Sequence, residues 1–247
     1  MKTRIIKSIL AAFIIVMSVN AKSKAQTYYP VYLCDEGTAT LSIPEEKELV
    51  AGDKVYWYKD GTQVAMINYN GTTNHTNYVT PKTLSAGVHN YTSRIESAAG
   101  CLGEMSGAFQ IYQLPTKTLA LTTSKTSYCG SDGSLSSVIT ANTMPAEVLP
   151  DGIGYEYVWT ATKNTTPVTT ISGIGVDLAS KTELNTFTLN TTDPGTYVFN
   201  AMVKYVIMAP NTGVLKSGDN KGCEVPASAP QTVTVTPKPS KPTIVIQ

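Results

Sequence analysis

The chain has 247 residues, with 19 Lys and Arg against 18 Asp and Glu, and 42% of its residues are hydrophobic. Five of the basic residues and none of the acidic ones fall in the first 25 positions, so the remainder carries 14 basic against 18 acidic side chains, a net charge of −4. A weakly acidic chain without basic clusters excludes nucleic acid as a partner and disfavours anionic membrane surfaces, because both are bound mainly through Lys and Arg.

The first 25 residues have the layout of a cleaved signal peptide: Lys2, Arg4 and Lys7, then an apolar run from Ile9 to Val19 broken only by Ser18, then small residues at Ser23 and Ala25. The run is shorter than the roughly 20 residues that span a bilayer, so no membrane insertion is expected of the mature form. This places the protein outside the cell, secreted or at the cell surface. Four cysteines in such a chain are expected to form disulfides.

From residue 26 onward Thr, Val, Tyr and Ile recur and no long 3.6-residue apolar period appears, which predicts an all-β fold. The strands come in two rounds with the same landmarks. In the first, Cys34 opens CDEGTATLSI, Trp57 sits in KVYWYKDGTQV, Gly87 opens GVHNYTSRI and Cys101 lies in AAGCLG. In the second, Cys129 opens CGSDGSLSSVI, Trp159 sits in YEYVWTATKN, Gly195 opens GTYVFNAMV and Cys223 lies in NKGCEV. A duplicated order of this kind marks an internal repeat.

Each round ends in an alternating strand followed by proline, at Pro115 and at Pro239, and proline ends strands because it cannot donate to the ladder. The expected organisation is a signal peptide at 1–25, domains at 26–115 and 116–238, and a segment 239–247 that is a linker or the first strand of a further repeat. The offset between copies grows from 95 residues at the first cysteine to 122 at the second, so the second copy carries insertions. One lies near Met144 to Gly154; the other is MAPNTGVLKSGDNKG, residues 208–222, rich in turn formers. Alternation puts Ala39, Leu41 and Ile43 on one face, and Tyr197, Phe199, Ala201 and Val203 on another. Strands with one apolar face need a second sheet to cover them, so each domain is expected to be a sandwich.

At these residues the chain resembles immunoglobulin-like domains, and more closely the PKD-like and Ig-like repeats of large Bacteroidetes surface and adhesion proteins. DPGTYVF, Asp193 to Phe199, looks like the tyrosine-corner segment of such domains, with Tyr197 in the corner role; Trp57 and Trp159 match their buried core tryptophan. The second cysteine does not follow the corner by two residues, where Phe199 stands, and the first domain has His89 and Tyr91 at the aligned positions. The cysteines are therefore expected to strap one end of each sandwich. Four cysteines allow three connectivities, and the repeat favours Cys34 with Cys101 and Cys129 with Cys223, because each domain then closes on itself.

No catalytic constellation, cofactor motif or metal-ligand spacing is present. His75 and His89 have no flanking motif, and HExxH and CxxC are absent. The acids of PEEKE (44–48) and CDEG (34–37) read as a solvated rim, and the loops SDGS (131–134) and SGDNKG (217–222) offer oxygen ligands for calcium without the EF-hand pattern. In the run Tyr56-Trp57-Tyr58, alternation turns Trp57 inward and the tyrosines outward, where they are available for cross-strand packing or for stacking on a sugar ring. Five Asn-x-Ser/Thr triplets, at Asn70, Asn74, Asn90, Asn164 and Asn190, are common in a chain of this composition. The expected function is that of a non-enzymatic structural or adhesion protein contacting a protein or glycan ligand at a surface. The alternatives are a carbohydrate-binding accessory module, or the non-catalytic N-terminal part of a larger secreted enzyme.

Overall fold

The structure, a computed structural model, describes residues 26–130, 135–218 and 223–244. The signal-peptide assignment, the SDGS loop, most of the SGDNKG loop and the last three residues of the terminal segment lie outside the described residues. The rest is β structure with two short 3₁₀ turns.

Strands β1 (Val31–Cys34), β2 (Thr40–Leu41), β3 (Lys54–Lys59), β4 (Thr62–Asn68), β5 (Tyr78–Val79), β6 (Gly87–Glu96) and β7 (Phe109–Gln113) build the first domain. The order β1-β7-β6-β3-β4 forms its large sheet, and β2 pairs with β5 in the facing layer. The β3–β4 hairpin turns at Asp60-Gly61, both at positive φ (50° and 81°), which a two-residue turn matching strand twist requires. Between the layers lie Leu33, Ala39, Leu41, Ile43, Val55, Trp57, Tyr91 and Ile111. Trp57 is buried, its indole N–H donating to the Thr76 carbonyl at 2.9 Å, with Tyr78 stacked at 5.9 Å.

The second domain comprises β8 (Lys117–Thr123), β9 (Ser127–Cys129), β10 (Ser137–Pro145), β11 (Ile153–Lys163), β12 (Thr166–Pro167), β13 (Gly175–Asp177), β14 (Leu184–Leu189), β15 (Gly195–Ile207), β16 (Val214–Ser217), β17 (Val225–Pro226) and β18 (Gln231–Thr236). One sheet has the order β13-β14-β10-β8; the other runs β12-β11-β15-β18-β9, with β17 also on β15. Trp159, Phe187, Phe199, Tyr197 and Val203 fill the space between them. The Tyr197 hydroxyl donates to the Asp193 carbonyl at 3.0 Å, closing the corner before β15. In both domains a short early strand runs parallel to the last one, β1 on β7 and β9 on β18, so the two share one plan.

The second insertion is not a surface loop. Its β16 leaves the second domain and adds itself in parallel to β1, with Val31 opposite Val214 and Cys34 opposite Ser217, so that the first domain's sheet has six strands. The approach is close enough to need glycine: a Cβ on Gly37 would lie 2.5 Å from the Lys216 carbonyl oxygen, and one on Gly213 2.3 Å from that of Tyr29. Tyr32, on the face of β1 opposite Leu33, joins Leu114 and the second domain's core in one apolar cluster.

This crossing changes the cysteine pairing. Cys34 is bridged to Cys223, 189 residues away, with 5.8 Å between their Cα atoms, and Cys101 is exposed and outside any disulfide. The expected Cys34–Cys101 and Cys129–Cys223 pairs are therefore corrected. Register gives the reason: Leu33 lies opposite Gln113, and Gln113 opposite Gly87 at the start of β6, whereas Cys101 follows Glu96 at its far end. Nine residues of strand separate the two ends by about 30 Å, and a disulfide tolerates about 7 Å between Cα atoms. Cys129 ends β9, half-buried.

Candidate interaction surface and the domain joint

The outer face of the six-stranded sheet is divided in two. Over β16, β1 and β7 it is covered, with Tyr29, Tyr32 and Tyr112 in mutual ring contact at 5.0 to 6.2 Å and packed against the second domain's core. Over β6, β3 and β4 it is open, and strand alternation there sends out Lys54, Tyr56, Tyr58, Met66 and Arg94.

On this open face Glu96 accepts from the Tyr56 hydroxyl at 2.6 Å and from Lys54 at 2.8 Å. These bonds hold the Glu96 carboxyl below its usual range and raise both Lys54 and Tyr56. Tyr56 is therefore fixed in place as a neutral phenol, with half-exposed Met66 opposite it on β4 and Arg94 on β6. Arg94 donates to the Gly103 carbonyl at 2.8 Å, and Gln110 to Asn90 at 3.0 Å. Tyr58, two residues on, shares this face. This face presents two outward tyrosines bordered by donors and acceptors, side chains suited to stacking and hydrogen bonding.

His89 and Glu46 have structural work. His89 is buried between Asp60 (3.3 Å) and the Ser85 carbonyl (2.8 Å). Glu46, in the PEEKE stretch read as a solvated rim, is buried instead. It accepts from the Thr76 N–H (2.9 Å), the Thr76 hydroxyl (2.7 Å) and the Asn74 N–H (2.6 Å), bonds that lower its pKa. Cys34, Asp35 and Cys223 gather closely enough to suggest metal ligands, but their two sulfurs are joined to each other, leaving one carboxylate.

Sequence reasoning missed the joint between the domains. Lys117 is buried there, donating to the Cys223 carbonyl and lying 3.7 Å from the centre of the Tyr205 ring. Tyr205 in turn donates to the Pro115 carbonyl at 2.9 Å. Asn211 donates to the Tyr32 hydroxyl at 2.8 Å and to the Gly152 carbonyl at 3.3 Å. The available signal was VYLC in β1, a continuous apolar run of the kind found in strands covered on both faces.

Burial pulls the Lys117 pKa down to about 8 despite the attraction of Asp35. Because the unfolded chain still binds that proton up to about pH 10.4, folding at neutral pH carries a cost of roughly 3 kcal/mol that disappears as pH rises between these values. Buried Tyr91 and Tyr128 act oppositely, being raised to about 12 by desolvation, so their contribution is lost as pH climbs above about 10. Urea unfolding across this range, with Cys101 alkylated, is expected to show a stability maximum near pH ~9 to 10. Lys117→Met should remove the rising limb and keep the falling one; an unchanged rising limb would assign it to another group.

Among the described residues no helix is long and apolar enough to cross a membrane. No family model matches the chain, and no curated protein matches it. Solved structures similar to it include the fibronectin(III)-like modules of Clostridium thermocellum CbhA, at 12% identity over 87% of this chain and 93% of that one, with a TM-score of 0.38. Invasin, a bacterial integrin-binding protein, is similar at 15% identity over 86% of this chain and 39% of its own, with a TM-score of 0.31. A Bacteroides ovatus protein of a mixed-linkage glucan utilization locus, SGBP-B, in complex with a mixed-linkage heptasaccharide, is similar at 12% identity over 87% and 44%, with a TM-score of 0.27.

Proposed function

We propose that this chain is a secreted or cell-surface adhesion and spacer protein, in which two Ig-like domains at 26–115 and 116–238 form one stiff unit and present the open sheet face of the first to a protein or glycan ligand. The observation that carries this reading is the joint. A strand of the second domain completes the first domain's sheet, a disulfide holds it there, and Tyr32 and Leu114 of the first domain are built into the second domain's apolar core. Relative domain motion is the default for linked sandwiches, and a shared sheet with a covalent tie removes it. A stiff unit keeps a ligand-bearing face at a fixed distance and orientation from its attachment.

A glycan ligand is favoured over a protein one by the Tyr56–Glu96 contact, which fixes an aromatic ring beside charged and amide groups. The purified chain applied to a glycan array is expected to be retained, and Tyr56→Ala with Tyr58→Ala to weaken that retention by about tenfold or more, equivalent to ~1.4 kcal/mol. The thermal midpoint should fall by a few degrees, because the pair also removes the Tyr56–Glu96 bond and two half-buried rings, so retention is compared well below it. Retention unchanged by the pair would remove this face from the binding site.

A further inference from the structure

The two domains share one plan, and among the described residues the first lacks a strand of it. In the second domain β10 is paired on one side with β14 and on the other with β8, Leu119 lying opposite Thr143 and Leu121 opposite Ala141. Beyond β10, β8 also contacts the segment leading into the last strand, where the Ser228 N–H donates to the Leu119 carbonyl at 3.0 Å. In the first domain β2 holds the place of β10 and β5 that of β14, and among the described residues nothing lies on the other side of β2. The Ala39 carbonyl accepts from Thr80, so by alternation the backbone groups of Thr40 and Ser42 face the vacant side.

A groove of about 360 Å³ occupies that side. Thr40 to Ile43 form one wall, and Ser106, Gly107 and Phe109, in the counterpart of the Ser228 segment, form the other. Its lining carries two signs of a missing occupant. Phe109, at the start of the last strand, is 41% exposed, and Tyr91 is 1% exposed with a hydroxyl that has no hydrogen-bond partner among the described residues. The domain's own N-terminal approach does not fill the groove: residues 26–29 run to the second domain, where the Thr27 N–H donates to Asp151 at 3.2 Å.

We infer that this groove seats a β-strand, and that its occupant is Pro242 to Gln247 of a second copy of the chain. The segment follows β18 as β8 follows β7, and in an extended strand its Ile244 and Ile246 share one face, as the buried Lys117 and Leu119 do in β8. Thr243, Ile244, Val245 and Ile246 are all β-branched, and Ile244 stands 95% exposed with no strand partner among the described residues. The same copy cannot supply it. Val235 pairs with Gly195, at the opposite end of β15 from the domain joint. The length of β15 puts that end about 40 Å from the joint, and residues 237–241 reach at most about 18 Å. Insertion in trans is a head-to-tail contact, which propagates as a filament unless it closes into a ring.

Sedimentation of the purified chain, its N-terminus defined by mass spectrometry, tests this. Concentration-dependent association is expected, reversed by excess synthetic SKPTIVIQ peptide. Ile244→Asp with Ile246→Asp should weaken it by about tenfold or more at an unchanged thermal midpoint. Ser42→Pro, which removes an outward N–H without touching the β2–β5 bonds, should weaken it likewise. A chain that stays monomeric would overturn the proposal. So would association indifferent to the tail substitutions, which would assign the contact to another surface, or the groove to residues preceding Gln26.

Discussion

Serine in place of Cys34 or Cys223 is expected to destabilise the protein by about 5 kcal/mol, the chain-entropy value for so long a loop. The bridge closes 189 residues of chain, and it ties the end of β1 to the segment that has just supplied β16. Without it, a four-residue parallel strand must hold the sheet edge alone, and its connection to the second domain is free to open. The double variant should be no worse than either single one, because both remove the same bond. Cys101→Ser should have an effect near zero, its side chain being exposed and unbridged. Denaturant midpoints of the four proteins, with a non-reducing peptide map showing the Cys34–Cys223 fragment, check this. Equal losses from Cys34→Ser and Cys101→Ser would restore the pairing within the first domain.

The all-β class could be read directly, because period-2 alternation states which side chains share a face. Ala39, Leu41 and Ile43 are buried, as are Tyr197, Phe199, Ala201 and Val203. Trp57 and Trp159 occupy the two cores, and Tyr56 and Tyr58 lie on the outer face. What alternation cannot state is where a strand docks. Residues 208–222 carry turn-forming residues at both ends of VLKS, and a four-residue strand added to another domain's edge leaves no local signature. The disulfide pairing depended on that crossing, so the repeat, which speaks only of what each domain does by itself, pointed to the wrong partners. Glu46 was misjudged for a related reason: its Asn74 and Thr76 partners lie 28 and 30 residues away, and only the fold brings them together.

Tyr32→Ala is expected to cost about 3 to 5 kcal/mol, as large-to-small changes of buried aromatic residues do. Tyr32 has no exposed surface and belongs to the core that runs from the first domain into the second. Its hydroxyl also accepts two hydrogen bonds, from the Tyr29 N–H at 2.9 Å and from Asn211 at 2.8 Å. Tyr32→Phe keeps the ring and removes only that acceptor. Leaving buried donors unpaired costs about 1 to 3 kcal/mol, and the remaining Asn211 bond to Gly152 should hold the loss near the lower figure. The two variants separate apolar packing from hydrogen bonding at the joint. They also test whether the domains fold as one body, since the disulfide alone would tie them without coupling their unfolding. If the shared core couples them, the wild-type chain unfolds in one transition and Tyr32→Ala, with the bridge intact, in two. A single, barely shifted transition in Tyr32→Ala would mean that the covalent tie and β16 suffice and that the aromatic packing contributes little to the coupling.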